Sequence, residues 1–441
     1  MFVFALLRPR AGRIARASFR RTAPAFDRRD VDGTISTRDT RSFEMIDAGQ
    51  KLVSKALPSV TAVEHGMWDR LFPDTVEAWD YYRACERSAP QGFTTSAIGV
   101  FAGNELVAAA PLFNISHRLD TSLEGPLQPI GDWIGRKTPR LLNWPVLGMG
   151  SPLTEECPIG MLPSLSLADR AAAMTVLLDG MAETARAQGV SVLAIKDVTD
   201  ADAQWADAPL RQAGYMRAAT LPVATLPVGF RTEAEYLASL SANMRKDLKR
   251  KMKSSANVQI EIRDSLDGIE EEVVALFEET KARRRTDYAD FDEVPPAYFG
   301  EVVRGLRDKA IIVLCRVEGT LASFSLSLAE KDRIIAKYIG MRYPMAQEHN
   351  IYFVNWMAVV RLAIARGASW LQVGHTTYKQ KVRLGCSLKR SWVYFRHRNP
   401  VLNAGLRLVS PYLAFDAKDP DLKELGATAP YLDATGRVIP A

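Results

Sequence analysis

The segment Gly374-His375-Thr376-Thr377-Tyr378-Lys379-Gln380-Lys381-Val382-Arg383 follows an apolar run and gathers an imidazole, a phenol and three cations within ten residues. An imidazole that titrates near neutrality suits removal of a proton from an attacking ammonium, and a tyrosine hydroxyl or a lysine can stabilise a departing thiolate. His375 is the candidate general base and Tyr378 the candidate donor to a leaving atom. Lys379 and Lys381 would add positive charge for the donor. The same letters also suit a histidine that caps a turn and a tyrosine that fills core.

A second constellation lies in 237–252. Leu237, Leu240, Met244, Leu248 and Met252 recur at spacings of three and four, which leaves Arg245, Lys246, Lys249, Arg250, Lys251 and Lys253 largely on the other faces. Such a run is either a solvated face or a contact for something acidic: CoA phosphates, tRNA or anionic lipid headgroups. Arg245, Lys249 and Arg250 are the donor-binding candidates here. Other chemistries lack their motifs. No GxSxG elbow, GxxxxGK[ST] loop or HExxH pair occurs, and Gly148-Met149-Gly150 is followed by Ser151-Pro152-Leu153 without the third glycine of a dinucleotide site. Cys85, Cys157, Cys315 and Cys386 form no CxxC pair and the histidines show no ligand spacing, so no metal is expected.

The elements that must position these groups belong to a globular chain. With 441 residues, 47% hydrophobic and 24% charged, the chain is long enough for two cores. The net charge of +6 comes from residues 1–30, where eight arginines face two aspartates, so basicity gives no support for DNA binding. Residues 1–44 are expected to be a disordered basic tail, with Met45 as an alternative start. No apolar stretch reaches the roughly 18 residues a membrane span needs. Scattered cysteines make a reducing compartment the default. The expected location is cytoplasmic, with a peripheral position at the inner membrane as an extension.

Periodicity predicts helix 76–88, strands 97–102 and 106–113, helix 168–188 and strand 190–197, with a long loop insertion over 114–166. Its apolar residues Trp133, Leu141, Leu142, Trp144, Val146 and Leu147 suit a lipid-like substrate. A basic helix over 233–254 then leads to strand 258–263, helices 266–284 and 295–308, strands 310–317, 321–329 and 333–340, helix 350–366, strand 369–374 and a final strand near 391–396. Two features repeat in the same order. Strand-turn-strand units centre on Gly103 and Gly319, and long helices stop at Gly189 and Gly367 before strands beginning Val-Ser-Val-Leu and Ala-Ser-Trp-Leu. Duplication into two mixed α/β lobes follows. The expected boundaries are 45–230, 231–400 and a C-terminal extension 401–441. The basic segment 379–398, leading into the amphipathic 401–414, would suit either a membrane surface or packing onto its own lobe.

Two segments carry a family resemblance: Ser239-Leu240-Ser241-Ala242-Asn243-Met244-Arg245-Lys246-Asp247-Leu248-Lys249-Arg250, and Gly374 to Lys379 followed by Leu384-Gly385. With the order of elements, they resemble the GNAT-superfamily acyltransferases, tandem-lobe FemAB-like branch. Within it the chain resembles the bacterial acetyltransferase-like family linked to cellulose or polysaccharide biosynthesis, which includes bacterial ceramide synthase-like N-acyltransferases. The resemblance implies two tandem GNAT-like lobes, the second catalytic, and transfer of an acyl group from a thioester to an amine acceptor. Acyl-CoA or acyl carrier protein would be the co-substrate, with no permanently bound cofactor. Tyr338 and Asn350 join the donor-binding candidates. The sequence departs from the family at His375 and Thr376, where acidic residues are common, and in 341–350, where the glycine-containing phosphate loop of GNAT enzymes has no counterpart. CoA, carrier protein and aminoacyl-tRNA therefore all stay open as donors. The alternatives are an aminoacyl-tRNA-dependent transferase acting on a peptide or sugar precursor, and a non-catalytic binding module in envelope polysaccharide assembly.

Overall fold

The computed structural model describes residues 51–90, 92–118, 143–157, 159–283, 294–410, 416, 419–433 and 436–439. The tail 1–44 and residues 119–142 of the expected insertion lie outside them. Two mixed sheets dominate. The first contains β1 (Leu52–Leu57), β2 (Phe93–Ala102), β3 (Glu105–Arg118), β4 (Asn143–Met149), β5 (Gly160–Met161), β6 (Val192–Thr199) and β7 (Met216–Ala219). The second contains β8 (Val223–Pro227), β9 (Gln259–Arg263), β10 (Ala310–Val317), β11 (Thr320–Ala329), β12 (Arg333–Met341), β13 (Trp370–Gln372) and β14 (Ser387–Lys389). After β15 (Ser391–His397), β16 (Tyr431–Leu432) and β17 (Val438–Ile439) extend the second sheet.

The duplication is visible in the registers. In each lobe a hairpin turns at a glycine and carries a bulge at the same distance from the turn. Phe101 faces Leu106 and Val100 faces Ala108, while Arg316 faces Leu321 and Cys315 faces Ser323. In each lobe a long helix then delivers a strand parallel to the last strand of the meander: β6 beside β4, and β13 beside β12.

The lobes also exchange strands across position 230. Strand β15, expected to complete the second lobe, lies between β6 and β7 of the first sheet. Strand β8 in turn sits between β13 and β14 of the second. A pattern of alternating apolar residues fixes that a segment is a strand but not which edge it joins. The insertion is likewise corrected at its ends: β3 runs to Arg118, and β4 pairs with both β3 and β6. Val146 and Leu147 are therefore buried core, not lipid-facing loop.

The main helices are α1 (Trp79–Arg87), α2 (Leu167–Ala187), α3 (Asp200–Gln212), α4 (Glu233–Ser239), α5 (Ala242–Ser254), α6 (Glu270–Ala282), α7 (Tyr298–Leu306), α8 (Met345–Glu348), α9 (Ile351–Ala365), α10 (Tyr378–Arg383) and α11 (Pro400–Val409). The expected basic helix 233–254 is two helices, because Leu240 is extended and Ser241 Oγ caps α5 by accepting from the Met244 N–H at 3.3 Å. Helix α9 has ten of its fifteen residues buried, as an almost wholly apolar helix must. One continuous core runs from the first lobe into α6, α7, β11 and β12. Within it Phe277, Tyr298, Phe299, Phe324 and Tyr338 meet edge to face at 5.2 to 5.8 Å between ring centres. Among the described residues no helix is long and apolar enough to cross a membrane.

Candidate functional site

Strands β12 and β13 pair over three residues, Arg333 with Trp370, Ile334 with Leu371 and Ile335 with Gln372. They then part. Strand β12 runs on to Met341, while the other chain turns away at Gly374. Lys337 is the extra residue of a bulge on β12, because Leu326 faces Tyr338 and Ser327 already faces Ala336. Bulges re-aim side chains and are common beside active sites. A cavity of about 650 Å³ fills the opening, walled by β12, by Phe353, Asn355, Trp356 and Val359 of α9, by the turn Val373–Thr377, and by Glu155 of the first lobe.

The turn is held at a specific shape. Thr376 and Thr377 both have left-handed backbones, φ +68° and +53°, a strained pair that persists only where surrounding bonds impose it. Lys381 supplies them: its ammonium donates to the carbonyls of Val373 at 2.5 Å, Gly374 at 3.1 Å and His375 at 2.8 Å. His375 Nδ1 lies 3.2 Å from the Pro222 carbonyl. A carbonyl oxygen only accepts, so Nδ1 carries the proton and Nε2 of the neutral ring keeps the lone pair a base requires.

The opposite wall is charged and buried. Lys337 donates to Glu77 at 2.7 Å and to the Leu153 carbonyl at 2.9 Å. Burial works against this ammonium, but the carboxylates of Glu77 and then Glu155 outweigh it and hold its pKa above the ordinary lysine value. Arg333 pairs with Glu330 at 2.6 Å and Glu156 at 3.0 Å and also donates to Gln372 Oε1 at 2.9 Å. Burial raises the Glu156 pKa, yet Arg333 and Lys389 bring it below the usual carboxylate value. Residues 153–156 of the first lobe are thus clamped into the second.

Of the residues expected from sequence, His375, Lys381, Tyr338 and Asn350 line the cavity together. Tyr378 is fully buried outside that lining, and its hydroxyl donates to the Pro222 carbonyl at 2.8 Å. Lys379 is exposed and pairs with Glu424. Arg245 reaches the Ala238 carbonyl at 3.2 Å, Arg250 pairs with Asp247 at 2.7 Å, and Lys249 is exposed. These three lie outside the cavity lining, although α5 touches a wall residue: the Lys251 ammonium sits 3.9 Å above the ring of Phe353. Sequence reasoning missed Glu155, Lys337 and Asn355. Lys337 left one signal, a lysine inside the apolar run Arg333-Ile-Ile-Ala-Lys-Tyr-Ile-Gly340. Among the described residues no group of three or more His, Cys, Asp or Glu side chains could hold a metal ion.

The stretch 341–350, where a phosphate loop was sought, folds on itself. The N–H groups of Ala346, Gln347, Glu348 and His349 bond to carbonyls of residues 342–345 at 2.7 to 3.3 Å. The Tyr343 N–H donates at 2.9 Å to the carboxylate of Glu279.

Residues 141–431 match the model of the FemAB-like family, described as peptidoglycan biosynthesis/recognition. The chain belongs to the FemAB-like family. The crystal structure of FemX shares its fold, at 14% identity and a TM-score of 0.50 over 74% of this chain and 92% of that one. Similarity extends to the C-terminal domain of a putative lysylphosphatidylglycerol synthetase from Agrobacterium fabrum, with 13% identity, 79% of this chain, 96% of that chain and a TM-score of 0.45. A tandem GNAT protein from the clavulanic acid biosynthesis pathway gives 14%, 79%, 98% and 0.44. No curated protein matches.

Proposed function

We propose that this FemAB-like protein moves an acyl or aminoacyl group from an activated ester or thioester to an amine in the cavity between β12 and β13. The observation that carries the reading is the tautomer of His375, whose protonated Nδ1 on Pro222 leaves Nε2 free to act as base in a turn that lines the cavity. The acceptor ammonium gives one proton to solvent, the lone pair of the resulting amine forms the new C–N bond, and His375 Nε2 takes a second proton from that nitrogen as the bond forms. The donor's C–O or C–S bond breaks, and its electron pair leaves with the oxygen or sulfur, which receives the proton from His375. No redox partner is needed.

Among donors, an aminoacyl ester of tRNA is better supported than a thioester of CoA. A pyrophosphate bound at the Tyr343 amide would meet the Glu279 carboxylate already there, and like charges at contact distance repel. The exposed cations of α5, a helix that touches the cavity wall at Phe353, suit a polyanion such as tRNA. The second reading, N-acylation of a long-chain amino alcohol as in ceramide synthesis, is favoured by the apolar wall of Ile339, Met341, Trp356 and Val359. An assay with labelled aminoacyl-tRNA, acyl-CoA and acyl carrier protein, each offered with amine acceptors, separates them. Label transferred from tRNA supports the first reading. Consumption of acyl-CoA alone, with an amino alcohol as acceptor, supports the second, and no transfer from any donor removes both.

A further inference from the structure

Four carboxylates meet where residues 153–156 enter the second lobe, and three have a cation. Glu77 pairs with Lys337, and Glu156 and Glu330 share Arg333. Glu155 has a neutral partner, the Gln372 amide, which donates to its Oε2 at 2.7 Å. Its other oxygen lies against the backbone of Gly374, so close that a Cβ there would be 2.3 Å from Oε1. Glu155 is therefore a carboxylate in the cavity wall that makes no ion-pair contact among the described residues, although its charge acts on the Lys337 ammonium. The nearby cations are committed elsewhere: the Lys337 ammonium to Glu77 and the Leu153 carbonyl, and the Lys381 ammonium to three backbone carbonyls of the turn.

We infer that Glu155 binds the ammonium of the acceptor, so that the site selects a cationic primary amine carrying an apolar portion and is completed by a residue of the first lobe. This rests on the amine-transfer reading above and names the acceptor's chemistry. An ammonium entering a cavity walled by Ile339, Trp356 and Val359 loses hydration, and a carboxylate contact compensates that loss. Glu155 lies against Gly374, the chain neighbour of His375, and both Glu155 and His375 line the cavity. The need for glycine follows from the same contact: Gly374 has φ +69°, which glycine adopts freely, and any side chain there would push Glu155 away.

The test is calorimetric binding of octylammonium, 1-octanol and octanoate to the full chain, without any acyl donor. The parent protein should bind octylammonium about tenfold or more tighter than octanol, the value of a hydrogen bond to a charged group. Glu155→Gln, which keeps the Gln372 contact, should bring the two within about twofold by weakening octylammonium alone, and Glu155→Asp should keep part of the preference. Equal binding in the parent, a preference that survives Glu155→Gln, or octanoate binding as tightly as octylammonium would overturn the assignment. Because no donor is present, this outcome is independent of whether any acyl group is transferred.

Discussion

At corresponding places the two lobes differ in how the parallel strand pair ends, and under the proposed function that difference selects the second lobe for chemistry. In the first lobe β4 and β6 stay paired to the end of β4, from Val146 with Val192 to Met149 with Ile195, and β3 meets β4 without a bulge. Gly148 lies against the ring of Phe113, so near that a Cβ would be 2.2 Å away, and β6 leads directly into α3 through the Thr199 cap. In the second lobe the equivalent strands pair for three residues and separate around the Lys337 bulge, leaving about 650 Å³. Duplication supplied two frames. The closed one became a buttress that sends Glu77 and Glu155 into the open one.

The contrast should break most severely at Lys337. Lys337→Met leaves Glu77 buried without its cation and should destabilise the protein by about 3–5 kcal/mol, read from urea midpoints. The double variant with Glu77→Gln should recover most of the loss, because no buried charge is then stranded. Gly374→Ala comes next. Its left-handed backbone should cost about 1–2 kcal/mol, and displacement of Glu155 should lower acceptor affinity as well.

Tyr378→Phe sharpens the comparison from the other side. The lost bond to Pro222 should cost about 1 kcal/mol in stability, and turnover should fall less than for any change at His375, because the phenol lies outside the cavity lining. The smallest effect on folding is expected for Lys249, Arg250 and Lys253 changed together to Gln. Melting should be almost unchanged, while binding of tRNA should weaken in low salt and converge with the parent in high salt. Equal binding at low salt would make that face of α5 a solvated surface.

Much of this plan could be read from the letters. The glycine-stopped helices, the hairpins at Gly103 and Gly319 and the His375 turn are local patterns, written within a dozen residues each. What could not be read is tertiary. Nothing in Ser391-Trp-Val-Tyr-Phe-Arg396 says that it pairs with β6 instead of a neighbour in the second lobe. Glu155 reaches Gly374 across 219 positions of chain through strand exchange and a buried clamp that no periodicity encodes. Tyr378 looked chemical because it stands three residues from His375, yet both side chains reach the same Pro222 carbonyl and only the imidazole lines the cavity. The break at Leu240 had a local signal, the capping serine at 241, that the continuous apolar stripe masked.

The central claim is that the open second lobe performs acyl transfer with His375 as base. Its most direct test is the single-turnover rate of label transfer from the preferred donor by the parent and by His375→Ala, with melting temperatures measured alongside. The account predicts a rate lower by about 10²–10⁴ at unchanged stability and donor affinity. A His375→Ala protein that transfers label as fast as the parent would contradict it.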